Sequence, residues 1–384
     1  MRNYCIKPAV IAALLFVVAP GCSRPEHLAA NKGIAALHRK DYDSAIAHFS
    51  EAIRLDPKDA AVYYNRGLAY GYKGESDKAV TDFSDAIRLN PRFAKAYDGR
   101  GRAYGEKGEL DKAAADCTEA IRLNPNDDYA YYGRGLVYAH KGDSDKAVAE
   151  FSEAIRLNPK FAAAYCGRGG ALVRRGRAEE AISDYTKAIE IDPNSAMHYC
   201  SRGGTLVRCG RIEESLPDFN KAIEIDPKSA NTYTGRGNAL DKLGRIEEAI
   251  SDYNKAIELE PKDLGSRLNV AEAFLCAGNA ERCLLELQKA EEYVKDDKYR
   301  LIVSYLRLMA RKTLRQETDE LEAQFAALSR QDIDIPWNFG SIERWLQSGK
   351  VDPETKVFAT GLTEGLKAKK RERQQSSGSA ATRQ

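Results

Sequence analysis

Between Ala60 and Phe93 the apolar and small positions fall into two helical stripes separated by a break. Tyr63, Arg66, Gly67 and Tyr70 stand at offsets of three, four and seven, which places them on one face of a helix. Gly74 follows in the usual place for a C-terminal glycine. Ser76 and Asp77 offer capping oxygens for the next helix. Ala79, Phe83 and Ala86 form the second stripe. Asn90-Pro91 ends it, because the residue before a proline avoids the helical region. The segment predicts a hairpin of two short antiparallel helices.

The same marks return every 34 residues. Proline recurs at Pro57, Pro91, Pro125, Pro159, Pro193, Pro227 and Pro261. A glycine sits in the first helix at Gly33, Gly67, Gly101, Gly135, Gly169, Gly203 and Gly237. In the second helix a small residue is followed four later by a bulky one: Phe49, Phe83, Phe151, Tyr185, Phe219 and Tyr253, with Cys117 in the third unit. A mid-helix glycine costs about 1 kcal/mol against alanine. Glycine at one offset in seven units therefore implies that two helices must approach closely there. A fixed period of this size is the signature of stacked repeats, whose long surface suits binding better than catalysis.

These spacings resemble the tetratricopeptide repeat, with its aromatic, glycine, aromatic, alanine, aromatic, alanine and proline positions. The resemblance covers residues 26–263 in seven units: 26–59, 60–93, 94–127, 128–161, 162–195, 196–229 and 230–263. It implies an all-α fold, a right-handed α-α superhelix of hairpins. Residues 264–297 form a degenerate eighth unit, which keeps Gly278 and Ala290 but has Ala271 at the glycine position and no final proline. Residues 298–366 predict capping helices, with Leu301, Ile302, Tyr305, Leu306 and Met309 at helical spacing and with Trp337 and Trp345 expected to pack the cap, the alternative being an exposed aromatic docking site. Residues 367–384 are basic and almost free of apolar side chains, so a disordered, solvated tail is expected. Pro217 inside a second helix predicts a local irregularity.

One pattern is particular to this chain. Arg66, Arg100, Arg134, Arg168, Arg202 and Arg236 precede the repeat glycine in six consecutive units. The same six units carry an acid before the bulky residue: Asp82, Asp116, Glu150, Asp184, Asp218 and Asp252. The first unit has neither, showing Lys32 and His48 instead. Residues that appear and vanish together predict pairs, within one unit or between neighbours, built on arginine's planar fork. The alternative is a row of arginines gripping an acidic ligand.

In the family the concave wall is built mainly by the first helix of each unit. Carried over by position, that resemblance names Tyr64, Asn65 and Tyr72 in unit two, Asp98 and Arg102 in unit three, and Tyr129, Tyr132 and His140 in unit four. Units five to seven add Arg174, Arg208, Asn238, Asp241 and Lys242. Such a wall is smooth, aromatic first and basic further on, and tyrosine suits interface contact. The competing expectation is that some of these tyrosines merely pack between units. The lysine and asparagine that the family uses to clamp chaperone tails are absent.

The first 22 residues differ in kind. Arg2 and Lys7 precede an apolar run from Pro8 to Ala19, too short to span a bilayer. The run ends in Ala-Pro-Gly-Cys, which resembles the lipobox of bacterial lipoproteins and implies lipid on Cys22 and a place in the cell envelope. Pro20 departs from that pattern; the alternatives are a cleaved soluble form and an uncleaved anchor. Charge is balanced, 59 basic against 57 acidic residues, so nothing points to nucleic acid. Six of the eight cysteines lie in the repeat region, where buried free thiols are expected, with Cys276–Cys283 as the one candidate disulfide. No phosphate loop, HExxH or nucleophile elbow occurs, and no metal or cofactor is implied. The expected function is a non-enzymatic scaffold holding a protein or peptide partner. The alternatives are a periplasmic chaperone for extended chains and a cytoplasmic regulatory scaffold.

Overall fold

The computed structural model describes residues 24–331, 333, 340–348 and 351–381. The proposed export segment, Cys22 and Trp337 lie outside them. All the regular structure among the described residues is helical. The chain forms two compact units, one ending at Pro193 and the other beginning at Asn194.

The first unit is five hairpins. They are α1 (Pro25–His38) with α2 (Tyr42–Leu55), α3 (Ala60–Lys73) with α4 (Ser76–Leu89), α5 (Ala94–Glu106) with α6 (Leu110–Leu123), α7 (Asp128–Lys141) with α8 (Ser144–Leu157), and α9 (Ala162–Arg174) with α10 (Ala178–Ile191). We call the two helices of a hairpin A and B. Within this unit α2, α4, α6 and α8 also pack on the A helix that follows, and successive A helices meet along one side. The second unit has three hairpins, α11 (Ala196–Arg208) with α12 (Ile212–Ile225), α13 (Ala230–Lys242) with α14 (Ile246–Leu259), and α15 (Leu264–Cys276) with α16 (Ala280–Glu291). Four further helices follow: α17 (Asp297–Thr313), α18 (Asp319–Ser329), α19 (Gly340–Gln347) and α20 (Pro353–Ala381).

Local chemistry sets the hairpin. Gly74 takes φ 82°, a left-handed value that ends α3, and the Glu75 N–H reaches back to the Tyr70 carbonyl. In the first hairpin Lys40 holds the same place at φ 60°. Ser76 and Asp77 do not cap α4, whose N-cap is Glu75 without a side-chain bond. They are the first two helical residues, and their side chains turn sideways instead, Ser76 to Glu106 at 2.8 Å and Asp77 to Lys107 at 2.7 Å. Asn90 is extended, as a pre-proline residue must be, and α4 ends before it. Pro217 lies in the second turn of α12 without dividing it.

The repeated aromatic is a wedge. A Cβ placed on Gly67 would lie 2.9 Å from the Phe83 ring, and one on Gly99 in the next hairpin would lie 2.8 Å from it. Phe151 fits between Gly135 and Gly167 in the same way, and Phe219 between Gly203 and Gly235. These three rings thus fill slots made by glycines on two consecutive A helices, while Phe49, Tyr185 and Tyr253 meet a glycine on one side only. The close packing is affordable only without side chains there.

Most of the repeat arginines tie three helices together. Arg66 donates Nε and Nη2 to the two Asp82 oxygens at 2.7 and 2.8 Å, joining A to B of one hairpin. Its Nη1 donates to Ser50 Oγ at 3.0 Å, on the B helix of the hairpin before. Arg100 does the same to Asp116 and Ser84, Arg168 to Asp184 and Ser152, and Arg236 to Asp252 and Asn220. Arg202 forks onto Asp218 at 2.8 and 2.7 Å. The acids are 4–14% exposed at the side chain and the arginines 17–26%. Tyrosine rings flank the guanidinium of Arg66 and of Arg100 on both sides, at 5.6–5.9 Å. Burial holds the Asp82 carboxyl above its ordinary range despite the arginine. Arg134 departs from the set. Glu150 reaches only its Nη2, at 2.9 Å, and the buried Nε has no hydrogen-bond partner.

The second unit is closed by its own last helices. Trp345 and Ile342 of α19 are buried with Leu275, Leu287, Leu301 and Met309 in one core. The Tyr305 hydroxyl and Thr363 Oγ1, 2.6 Å apart, join α17 to α20. All six described cysteines are free thiols, Cys276 and Cys283 included. The expected disordered tail is instead helical to Ala381. Its Lys, Arg, Glu, Gln and Ala residues lack packing power but are strong helix formers, and composition alone conceals that.

Two predictions follow from these contacts. Gly67→Ala lowers stability by about 1–3 kcal/mol through overpacking on Phe83, whereas Gly71→Ala in the same helix, which meets open space, raises it by up to about 1 kcal/mol; paired denaturant titrations check both. Arg100→Ala, which strands Asp116, costs about 3–5 kcal/mol, while Glu150→Asp lets the acid match the five aspartates and gains about 0.5–1 kcal/mol.

Candidate functional site

The A helices of the first unit bring four of the named wall tyrosines and one ion pair together. Tyr64 of α3 packs its ring on Phe83 and Phe93, with centroids 5.8 and 5.0 Å away. Tyr132 of α7 repeats this on Phe151 and Phe161, at 5.7 and 5.0 Å. Tyr129 also meets Phe161, and Tyr72 stacks on Tyr42 at 5.7 Å. These rings are half-buried, so they both pack between repeats and line the face. Phe93, Phe161 and Tyr42 were not singled out by sequence. A signal existed: Phe93 and Phe161 close the two repeats that hold Tyr64 and Tyr132, whereas other repeats end in aspartate or serine.

Between these tyrosines, on α5, stand Asp98 and Arg102. Arg102 makes no hydrogen bond among the described residues, and its nearest carboxylate is Asp98 Oδ2, 3.6 Å from Nε. Burial pushes the phenols of Tyr64, Tyr72, Tyr129 and Tyr132 up, and the charge of Arg102 pulls each of the four back. One guanidinium is therefore within electrostatic reach of all four rings.

Asp98 is buried where the wedge is missing. Repeat three carries Cys117 in place of the aromatic, and the smaller side chain leaves room at Gly133. Asp98 Oδ1 enters that room, 3.3 Å from where a Gly133 Cβ would stand. The same oxygen is buried and has no hydrogen-bond partner. Burial, partly offset by Arg102, raises the Asp98 carboxyl above its ordinary 3.8. Burial also raises the Cys117 thiol, which rules out a reactive thiolate.

Other named residues lie elsewhere. Asn65 is half-buried on α3, and His140 is exposed at the end of α7. Arg174 is exposed and donates to Ser144 Oγ at 3.3 Å. In the second unit Arg208, Asn238, Asp241 and Lys242 line one cavity of about 360 Å³. That face is not the open wall expected from sequence. Helix α19 covers part of it, with Ser341 and Arg344 bonded to Asp241. Among the described residues no group of three or more His, Cys, Asp or Glu could hold a metal ion.

Comparison with known proteins agrees with this geometry. Models of the tetratricopeptide repeat match residues 64–128, 99–160 and 132–196, then 37–74 and 203–244, and finally 230–263, which together cover more than half of the chain. No curated protein matches. Among solved structures, a tetratricopeptide repeat protein from Parabacteroides merdae ATCC 43184 is 22% identical, with 64% of this chain and 97% of that one aligned and a TM-score of 0.52. A chain of the APC/C hetero-tetramer Cut9-Hcn1 gives 18% identity and a TM-score of 0.57, over 74% of this chain and only 55% of that one. Yeast Tom70 gives 18% identity and 0.51, over 82% and 69%. At these identities the likeness is one of fold. A 34-residue helical hairpin, wedged by one aromatic and matched by these family models along most of its repeats, makes this chain a member of the tetratricopeptide repeat family.

Proposed function

We propose that the first unit binds an extended segment of a partner protein across α3, α5 and α7, and that the chain is a non-enzymatic scaffold. The observation that carries this is Arg102: a guanidinium without hydrogen bonds, beside a buried unpartnered carboxylate oxygen, among four tyrosines. An extended backbone offers both acceptors and donors. Its carbonyls, or a carboxylate, suit the Arg102 fork, which the buried Asp98 holds in place from behind. Tyrosine faces supply apolar contact at low entropy cost. Sequence departs from the repeat pattern here, at Cys117, and the departure buries a charge. Such local conflict is expected where binding rather than folding sets the residue.

Residues 1–22 support export, and Gly21-Cys22 supports a lipid anchor in a cell envelope. No described helix is long and apolar enough to cross a membrane. Metabolic labelling of cells with an alkyne palmitate analogue tests the anchor. Label on the wild type and none on Cys22→Ala is expected; an unlabelled wild type sinks it.

Panning a random peptide library on the purified chain tests the site. Enrichment on the wild type that is lost on Arg102→Gln is expected; equal enrichment on both overturns the assignment. Stability gives a second check. A carboxyl with a raised folded-state value binds its proton more tightly when folded, so its ionisation costs stability as pH rises from 3.8 through that raised value. Asp98→Asn therefore raises Tm at pH 7, by roughly 2–4 °C per kcal/mol relieved. The gain disappears below the ordinary value, where both states are protonated. The same substitution weakens peptide binding.

A further inference from the structure

One wall position near the end of each A helix changes character along the chain. It is Tyr72 in α3, Glu106 in α5 and Arg174 in α9, then Arg208 in α11 and Lys242 in α13. The first three each meet the residue 30 positions earlier. Tyr72 stacks on Tyr42, Glu106 accepts from Ser76 Oγ, and Arg174 donates to Ser144 Oγ. For Arg208 and Lys242 the residues at that distance are Ala178 and Ile212, whose side chains have no oxygen. Neither cation makes a hydrogen bond or ion pair among the described residues. The stacking of the hairpins therefore does not use them. Both line the cavity of the second unit, whose 360 Å³ or so falls within the roughly 300–1,000 Å³ of ligand sites.

Three cations line this cavity, Arg344 being the third, against the carboxylates of Asp241 and Glu272. The two signs differ in reach. Asp241 and Glu272 are each 8% exposed, with Asp241 Oδ1 and Glu272 Oε1 buried behind the surface. Asp241 Oδ2 already accepts from Ser341 Oγ and Arg344 Nη2. Arg208 is exposed, and Lys242 and Arg344 are half-buried. Arg344 uses only Nη2 in its hydrogen bonds among the described residues, which leaves Nε and Nη1. Asn238 Oδ1 accepts from the Tyr253 hydroxyl at 2.9 Å and from Asn269 Nδ2 at 3.2 Å, which orients the amide and leaves its NH₂ as a donor. What the wall presents to a ligand is thus positive charge and N–H donors. Val207 and Ala273 add apolar surface, and a Cβ on Gly204 would meet nothing within 4 Å, so there is open space beside them.

We propose that this cavity binds a free small molecule with an oxyanionic head, carboxylate or phosphate, and a short carbon body. The head sits on Arg208 and Lys242 with one oxygen on the Asn238 amide, and the body lies along Val207 and Ala273. A guanidinium fork matches the oxygens of a carboxylate or a phosphate, and a lysine adds a point charge. Because α19, part of this chain, forms one wall, the site takes a free molecule rather than the chain end of a large partner. It is separate from the peptide face on the first unit, so either assignment can fail alone.

The test is a ligand-observed NMR titration of the full chain at fixed low salt. The probes are butyrate, n-butyl phosphate, butanol, n-butylammonium, inorganic phosphate and a ten-residue peptide with a free C-terminal carboxylate. Saturable binding of one butyrate or one butyl phosphate per chain is expected, and the tighter of the two identifies the head. Butanol and butylammonium are expected not to saturate, and inorganic phosphate to bind at least tenfold more weakly than the better organic anion. The double substitution Arg208→Gln with Lys242→Gln is expected to weaken binding at least tenfold, while Lys228→Gln, an exposed lysine outside the cavity, leaves it unchanged. Circular dichroism confirms that each variant is folded; should the double variant fail to fold, each single one is expected to weaken binding at least threefold. No saturable binding of either organic anion overturns the proposal. So does equal binding of butylammonium or of inorganic phosphate, binding of the peptide alone, or affinity unchanged by the Arg208 and Lys242 substitutions.

Discussion

A guanidinium with five donors can face three helices at once, and the chain exploits this in almost every repeat. Two donors fix the acid of the same hairpin, and a third reaches a hydroxyl or amide of the hairpin before. The first contact sets the angle of A against B. The second sets where one hairpin stands on its predecessor. Neutral packing could do the first alone, since an aromatic wedge already fills the glycine slots, but wedges are non-directional. The fork adds direction, so that each A helix presents its outward positions in the same register as the last.

Regularity makes the exceptions readable. In repeat three Cys117 replaces the ring, and the space it frees admits Asp98. Arg102 then has only a distant carboxylate and a circle of phenols. In the second unit α19 supplies Ser341 and Arg344 to Asp241, so the A-helix positions there belong partly to an internal contact. The two faces therefore differ in kind, although they come from one repeat pattern. One is open and aromatic. The other is a walled cavity lined by charges of both signs.

Much of this was legible from spacing. The 34-residue beat placed the hairpins, and the joint appearance of arginine and acid in six units, with both missing from the first, predicted the pairs. What spacing could not show was the third arm of the fork. Ser50, Ser84 and Ser152 look like ordinary surface serines until the preceding B helix is in place. Nor could it show that Ser76 and Asp77 turn away from capping, because the acceptor or donor that draws them lies 30 residues on. The cover on Asp241 was illegible for a similar reason: its partners are 100 residues away, beyond any period. The helical tail was missed because low apolar content reports on packing and not on backbone propensity.

The most direct test is a double-mutant cycle between Arg100 and Ser84, on consecutive hairpins, with stability read from urea titrations of the single variants Arg100→Met and Ser84→Ala and the double variant. If the fork joins neighbouring hairpins, the two losses are not additive and the coupling is about 0.5–1.5 kcal/mol. Additivity within roughly 0.3 kcal/mol would show that the hairpins are held by the wedges alone, and the account would be wrong at its centre.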